Sequence, residues 1–288
     1  MTAAQKIRNL LARDTLLMPG VFDALSARIA CDAGFEVIFI SGYSVTAVTL
    51  AEPDFGYISL PDIAEAARRV CNVAGQANIP VIVDADTGYG NALNVAHTVR
   101  QLQSAGAAGM FLEDQLWPKK CGHMRGKRVI PATEHAQKIR AAVDARGKRD
   151  FFLVARTDAR QVNGLKDAIK RSLLYKKAGA DALFVEAPQS LADLKTIAKE
   201  LPAPLVANML ERGVTPHLTR EELRDLGFQM IVCPLSILFS YAKVAREIVT
   251  ALRREGSTRW HLDKLMGFEE FNRLVRLESK YEAEKKYR

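Results

Sequence analysis

The chain has few cysteines, and none are paired. Cys31, Cys71, Cys121 and Cys233 form no Cys-x-x-Cys motif. This excludes compact zinc sites and redox dithiols, which need two close thiols. Sparse, unpatterned cysteine fits a reducing cytoplasm. No stretch approaches the ~18 consecutive apolar residues of a membrane span, so no membrane partner is expected. The first fourteen residues are polar and amphipathic, without the apolar centre of a secretory signal. No stretch rich in proline, glycine or serine separates two domains, so residues 1–288 read as one domain with a helical tail from about 236 to 288.

The formal net charge is +8. Lysine and arginine are spread along the chain and mixed with aspartate and glutamate, so no basic stripe of the kind that tracks nucleic acid stands out. What remains is a cleft that attracts small anionic substrates, or simply a basic surface.

Hydrophobic residues make up 48% and charged residues 26% of the 288 residues, the balance of a globular enzyme. Short apolar runs recur at 16–18, 37–40, 81–83, 109–112, 152–155, 182–185, 205–207 and 230–233. Most are β-branched or aromatic, as buried parallel strands are. Helical patterns lie between them, for example at 62–74, 93–105, 134–145, 165–178 and 191–200. Eight such alternating units predict an α/β fold closed into a (β/α)8 TIM barrel, whose usual length is about 250 residues. An open doubly wound sheet is the alternative. The connections 41–80 and 114–150 are too long for plain barrel loops, and long loops after strands usually carry function. Beyond the eighth run the pattern predicts a helix from 236 to about 254 and a helical tail from 261 to 287.

The residues just past the apolar runs are polar. They are Ser41-Gly42-Tyr43, Asp84-Ala85-Asp86, Glu113-Asp114, Arg156-Thr157-Asp158, Glu186 and Asn208. In a barrel all of them ring the C-terminal face, where this fold builds its active sites. Asp84, Asp86 and Glu113 come from adjacent predicted strands. Clustered carboxylates repel one another unless a cation sits among them, and oxygen-only ligands favour Mg²⁺ or Mn²⁺. Arg156 offers a fixed cationic fork for a substrate carboxylate, or for Glu186. His97 and His135 fall in helical patterns and read as surface or packing residues.

The segment from Pro118 to Lys127 has neither helix nor strand period, so it reads as a mobile loop over the barrel mouth. It carries Cys121 among Lys119, Lys120, His123 and Arg125, whose charges are expected to lower the thiol pKa. A thiol there can move a proton or act as a nucleophile.

These motifs resemble the isocitrate lyase/phosphoenolpyruvate mutase superfamily along nearly the whole chain. The likeness rests on Ser41-Gly42, on Asp84-Ala85-Asp86-Thr87-Gly88-Tyr89-Gly90, on Glu113-Asp114-Gln115 and on Ala155-Arg156-Thr157-Asp158. It rests above all on Lys119-Lys120-Cys121-Gly122-His123, which is similar to the lyase branch that includes 2-methylisocitrate lyase, 2,3-dimethylmalate lyase and oxaloacetate acetylhydrolase. The resemblance implies Asp86 as a direct metal ligand, with Asp84 and Glu113 acting largely through water. It implies Ser41, Gly42 and Arg156 as binders of the oxo-acid carboxylate, and Cys121 as the acid that protonates the departing carbanion. Tyr43, Gly122, His123, Glu186 and Asn208 complete the substrate-facing set, with Tyr43 or a metal-linked carboxylate as the base.

The expected activity is Mg²⁺-dependent cleavage of a carbon–carbon bond in a 2-hydroxy di- or tricarboxylic acid of the 2-methylisocitrate or 2,3-dimethylmalate type. The products would be a 2-oxo acid such as pyruvate and a second acid. Oxaloacetate acetylhydrolase and carboxyvinyl-carboxyphosphonate or phosphoenolpyruvate phosphonomutase activities are the alternatives. The segment Asn208-Met209-Leu210-Glu211 and the tail Gly267-Phe268-Glu269-Glu270-Phe271-Asn272 look more like the dimethylmalate and oxaloacetate side. Family likeness also implies a homotetramer that exchanges C-terminal helices.

Overall fold

The computed structural model describes residues Met1 to Arg288. Eight strands pair in chain order and close on themselves: β1 Leu16–Val21, β2 Ile38–Ile40, β3 Val81–Asp84, β4 Gly109–Glu113, β5 Phe152–Thr157, β6 Ala182–Val185, β7 Leu205–Asn208 and β8 Met230–Cys233. All the pairings are parallel, and the last joins β8 to β1. The closed (β/α)8 barrel expected from the apolar runs is the observed fold.

The runs match the strands closely, with one instructive exception. β1 continues through Pro19 and Gly20, residues that read locally as a turn. Glycine is needed there because a Cβ at position 20 would collide with the backbone of Pro234, just past β8. The glycine marks a close approach between two chain segments inside the sheet.

Aliphatic and aromatic side chains fill the barrel. Phe39, Phe111 and Phe184 pack together, one pair tilted and the other edge-on, with ring centroids 4.8 Å and 5.6 Å apart, and form the floor on which the polar rim stands. The lower end is shut by the N-terminal helix Ala3–Leu11, capped by the Thr2 hydroxyl. Its buried residues Ala4, Ile7 and Leu10 join the core cluster at the strand starts, with Leu16, Val37, Phe152 and Met230. Arg8 on the same helix binds Asp150 at 2.6 Å and Asp181 at 3.0 Å.

The long connection after β2 holds two helices, Gly42–Leu50 and Leu60–Gln76. The one after β4 holds a loop and then helix Ala132–Arg146. His135 on that helix is fully buried and its ring packs edge-on against Tyr175 at 4.6 Å, whereas His97 is exposed.

Residues Met1–Ser236 form the barrel unit, and Ile237–Arg288 form a second unit. Helix Ser236–Glu255 leads into the second unit. The tail expected to be helical from 261 to 287 is instead broken into a short turn, Leu262–Lys264, and helices Phe268–Leu274 and Leu277–Lys285. Gly267 in extended conformation and Arg276 in the left-handed region, at φ 60°, interrupt it. Within this unit Lys264 pairs with Glu247 at 2.8 Å. No helix of the chain is long and apolar enough to cross a membrane.

Candidate active site

Barrel geometry brings the strand-end residues to one rim. Ser41 follows β2 directly and caps helix Gly42–Leu50, accepting a hydrogen bond from the Ser44 amide. The helix therefore starts at the rim, and its first amides offer a natural seat for an anion. Gly42 lies against the acidic residues. A Cβ there would sit 3.2 Å from Asp84 Oδ2 and 3.4 Å from Asp86 Oδ1. Asp84 Oδ1 accepts from the Asp86 amide at 3.2 Å, within a tight turn that puts Asp86 at φ 46°.

The three predicted metal ligands sit on this rim, but they do not surround a common point, and no group of three acidic, histidine or cysteine side chains forms a complete metal cage. Lys119 reaches into this acidic group. Its ammonium, almost fully buried, lies 2.6 Å from Asp86 and 2.7 Å from Asp54. Burial disfavours that charge, but Asp86, Asp54, Glu113 and Asp84 outweigh the cost and hold the lysine pKa well above its ordinary value.

Negative charge is still in excess. Burial, aided by Asp84 and Asp54, raises Asp86 to about 7 despite Lys119. Burial also pushes Glu113 well up against the pull of Arg156. Asp86 Oδ2, Glu113 Oε1 and Asp54 Oδ1 are buried without a hydrogen-bond donor. Unpartnered buried carboxylate oxygens are costly unless a cation serves them. This donor set suits Mg²⁺, which takes one or two carboxylates and keeps several waters. Asp86 could bind it directly, with Asp84 and Glu113 through water.

A second charged group centres on Arg156, next to Glu113 in the β4–β5 register. Its Nε lies 2.9 Å from Asp158, 3.3 Å from Glu113 and 3.7 Å from Glu186, and its guanidinium rests 5.5 Å above the Phe184 ring. Burial would raise the Glu186 pKa, but Arg156 and His123 hold it down at about 2. His123 Nε2 is 3.0 Å from Glu186 Oε1, which also accepts from Asn208 Nδ2 at 3.2 Å. Asp158 is kept well below the usual carboxylate range, with Arg156 and Lys127 overcoming the effect of burial.

The loop of Cys121 lies across these two groups. Gly122 packs so tightly that a Cβ would fall 2.5 Å from Arg156 Nη2 and from Glu186 Cγ. The Cys121 amide donates to the Asp54 carbonyl at 3.1 Å. The expected lowering of the thiol pKa is reversed. Burial pushes Cys121 up to about 11, with Asp54 and Glu186 adding to it, and outweighs the downward pull of the His123 amide and of Lys119. Burial likewise raises Tyr43, helped by Cys121 and Asp54.

One cavity of about 50 Å³ gathers Ser41, Tyr43, Asp84, Cys121, Gly122, His123, Arg156, Glu186 and Asn208, all foreseen from sequence. Gly42, Asp86 and Glu113 are buried beside it and do not line it. Asp54 lines it too and was not foreseen; it lies inside the long connection after β2, away from any strand end. Asp158, Lys119 and Lys127 were visible as charges, but their pairings were not.

The model of the family described as phosphoenolpyruvate phosphomutase matches residues 7–253. The chain belongs to this family. Among curated members, the chloroplastic carboxyvinyl-carboxyphosphonate phosphorylmutase of Arabidopsis thaliana is 55% identical, covering 94% of this chain and 80% of its own length. The petal death protein of Dianthus caryophyllus is 51% identical, over 95% and 86%. The 2,3-dimethylmalate lyase of Eubacterium barkeri is 40% identical, over 100% and 99%, and a 2-methylisocitrate lyase of Aeropyrum pernix 42%, over 91% and 83%. Among solved structures, oxaloacetate acetylhydrolase with 3,3-difluorooxalacetate superposes with a TM-score of 0.93 at 34% identity, over 99% and 97% of the two chains. Phosphonopyruvate hydrolase with oxalate and Mg²⁺ gives 0.88 at 30%, over 100% and 99%. Members of this family are lyases and mutases, so this member is an enzyme of the same superfamily.

Proposed function

We propose that this enzyme uses Mg²⁺ (or Mn²⁺) to break a carbon–carbon bond in a short 2-oxo or 2-hydroxy dicarboxylate, with oxaloacetate hydrolysis to oxalate and acetate as the leading case and 2,3-dimethylmalate cleavage beside it. One observation carries the reading. A thiol that holds its proton at neutral pH lines the same cavity as Arg156 and the Ser41 helix start. Carbon–carbon cleavage leaves a carbanion-like carboxylate that needs a proton, whereas an intramolecular phosphoryl shift needs none. The cavity is small, about 50 Å³, which favours a dicarboxylate over a tricarboxylate.

In this scheme Arg156 and the first amides of helix Gly42–Leu50 bind the substrate carboxylate. Asp86, with Asp84 and Glu113, would hold the cation. When bound, Mg²⁺ supplies Lewis acidity at the substrate hydroxyl or hydrated oxo group and stabilises the oxo acid as it forms. Tyr43 is kept protonated by burial, so it orients oxygen by hydrogen bonding, and a carboxylate of the acidic group removes the hydroxyl proton. Cys121 then delivers its proton to the released carbon. Lid closure excludes water meanwhile. A homotetramer with exchanged C-terminal helices, in a reducing cytoplasm, completes the proposal; light scattering tests the assembly.

A second reading, carboxyvinyl-carboxyphosphonate phosphorylmutase activity, is favoured by the 55% identical relative of that name. One panel separates the two. Oxaloacetate, 2,3-dimethylmalate, 2-methylisocitrate and isocitrate are assayed for cleavage with Mg²⁺, and phosphonate interconversion is followed by phosphorus NMR. Phosphonate turnover without carbon–carbon cleavage would replace the first reading with the second.

A further inference from the structure

Lys127 lies at the far end of the Cys121 loop, and the reaction scheme gives it no task. Its side chain is completely buried, as is that of its partner Asp158. The ammonium sits 2.7 Å from Asp158 Oδ1 and also donates to the carbonyl of Gly122, the residue after Cys121. A lysine with no solvent contact is rare and has to be paired. Here the pairing joins two parts of the site. Asp158 Oδ1 and Oδ2 accept from Arg156 Nη2 at 3.1 Å and Nε at 2.9 Å. Behind Asp158, its amide donates to Asp114, which is itself fixed by Thr157, Tyr175 and Arg171. The carboxylate is thus anchored from the barrel side, and Lys127 is the loop's link to it, beside the one His123 makes to Glu186.

We propose that Lys127 is a positioning residue, a latch that fastens the Cys121 loop to the Arg156–Asp158 pair and so makes the seating of the thiol and the aim of the arginine a single event. The inference rests on the reading of this rim as the active site, but its main readout does not depend on which substrate is turned over. With the latch formed, Gly122 is pressed against Arg156 and Glu186, and Cys121 faces the cavity. Without it, Arg156 still has Asp158, but Gly122 is held only through its neighbours, by His123 on Glu186 and by the Cys121 amide on the Asp54 carbonyl.

The experiment measures iodoacetamide alkylation of Cys121, by peptide mass spectrometry, in the full-length Lys127→Met enzyme. Charge-assisted hydrogen bonds of this kind shift an open–closed equilibrium by about tenfold or more. Cys121 should therefore alkylate about tenfold faster, with Cys31 and Cys71 unchanged as internal controls. In the assay that proves productive, kcat should fall more than Mg²⁺ affinity. If Lys127→Met does not fold, Asp158→Asn cuts the same link from the other side and should give the same alkylation change, while Lys127→Arg should restore part of the protection. Unchanged Cys121 alkylation in a folded Lys127→Met or Asp158→Asn enzyme overturns the latch. Faster alkylation with no activity on any substrate of the panel leaves the latch standing and removes the proposed reaction.

Discussion

Replacing Cys121 with serine keeps the side chain's size and takes away its acidity. The thiol sits at about 11, so at pH 7.5 all but about one molecule in three thousand carries the proton. That is the state a general acid needs. A positioned proton donor contributes about 10²–10⁴-fold, which is about 3–5 kcal/mol of transition-state stabilisation. Turnover of oxaloacetate by Cys121→Ser, followed as oxalate release, should fall by at least ~100-fold. Mg²⁺ affinity measured by calorimetry should stay within about twofold, because the acidic rim is untouched. With Mg²⁺ saturating, so that the acidic rim stays ionised, the wild-type rate should run flat through neutral pH and drop only as the thiol ionises near 11. A mechanism that uses the thiolate predicts the reverse slope. Cys121→Ser turnover within about tenfold of wild type, or a rate that climbs with a midpoint near 8.5, would refute the assignment.

Three further outcomes follow from the same geometry. Asp86→Asn should weaken Mn²⁺ binding, read by electron paramagnetic resonance, by more than the ~10–100-fold typical of losing an outer partner; unchanged binding would move the cation elsewhere. Gly122→Ala places a methyl 2.5 Å from Arg156 and Glu186, so kcat/KM should drop by about 100-fold or more while the melting temperature barely moves; normal kinetics would mean the loop does not close as seen. His135 is driven from its ordinary 6.5 to about 3 by burial and by the Lys138 cation. The unfolded chain therefore takes up a proton that the folded one refuses, so His135's contribution is complete above pH 6.5 and is lost as pH falls towards 3. At 1.36 kcal/mol per unit, the loss is on the order of 5 kcal/mol. His135→Phe should flatten this acid limb in urea titrations, and an unaltered limb would assign it to other groups.

The barrel was legible because eight apolar runs each fill one strand, and because six of them end in polar residues that closure must bring together. β1 was cut short only because Pro19 and Gly20 punctuate a sequence the same way whether they turn a chain or let two segments touch. The thiol's environment was not legible. Lys119 neighbours Cys121 along the chain, but its ammonium is committed to Asp54 and Asp86, and Lys127 to Asp158. Counting charges along a loop says nothing about where they point, and burial then decides the sign. Asp54 carried no periodic or positional signal, since it belongs to a connection with no strand end nearby.

The helix at the amino end makes the barrel a vessel with a single mouth. Below the reaction chamber lie three phenyl rings and a layer of aliphatic side chains, none of which can pass a proton along. Exchange of protons with solvent therefore runs only from above, when the flap lifts, so contact between the acid and water and discharge of the products share one doorway and one clock.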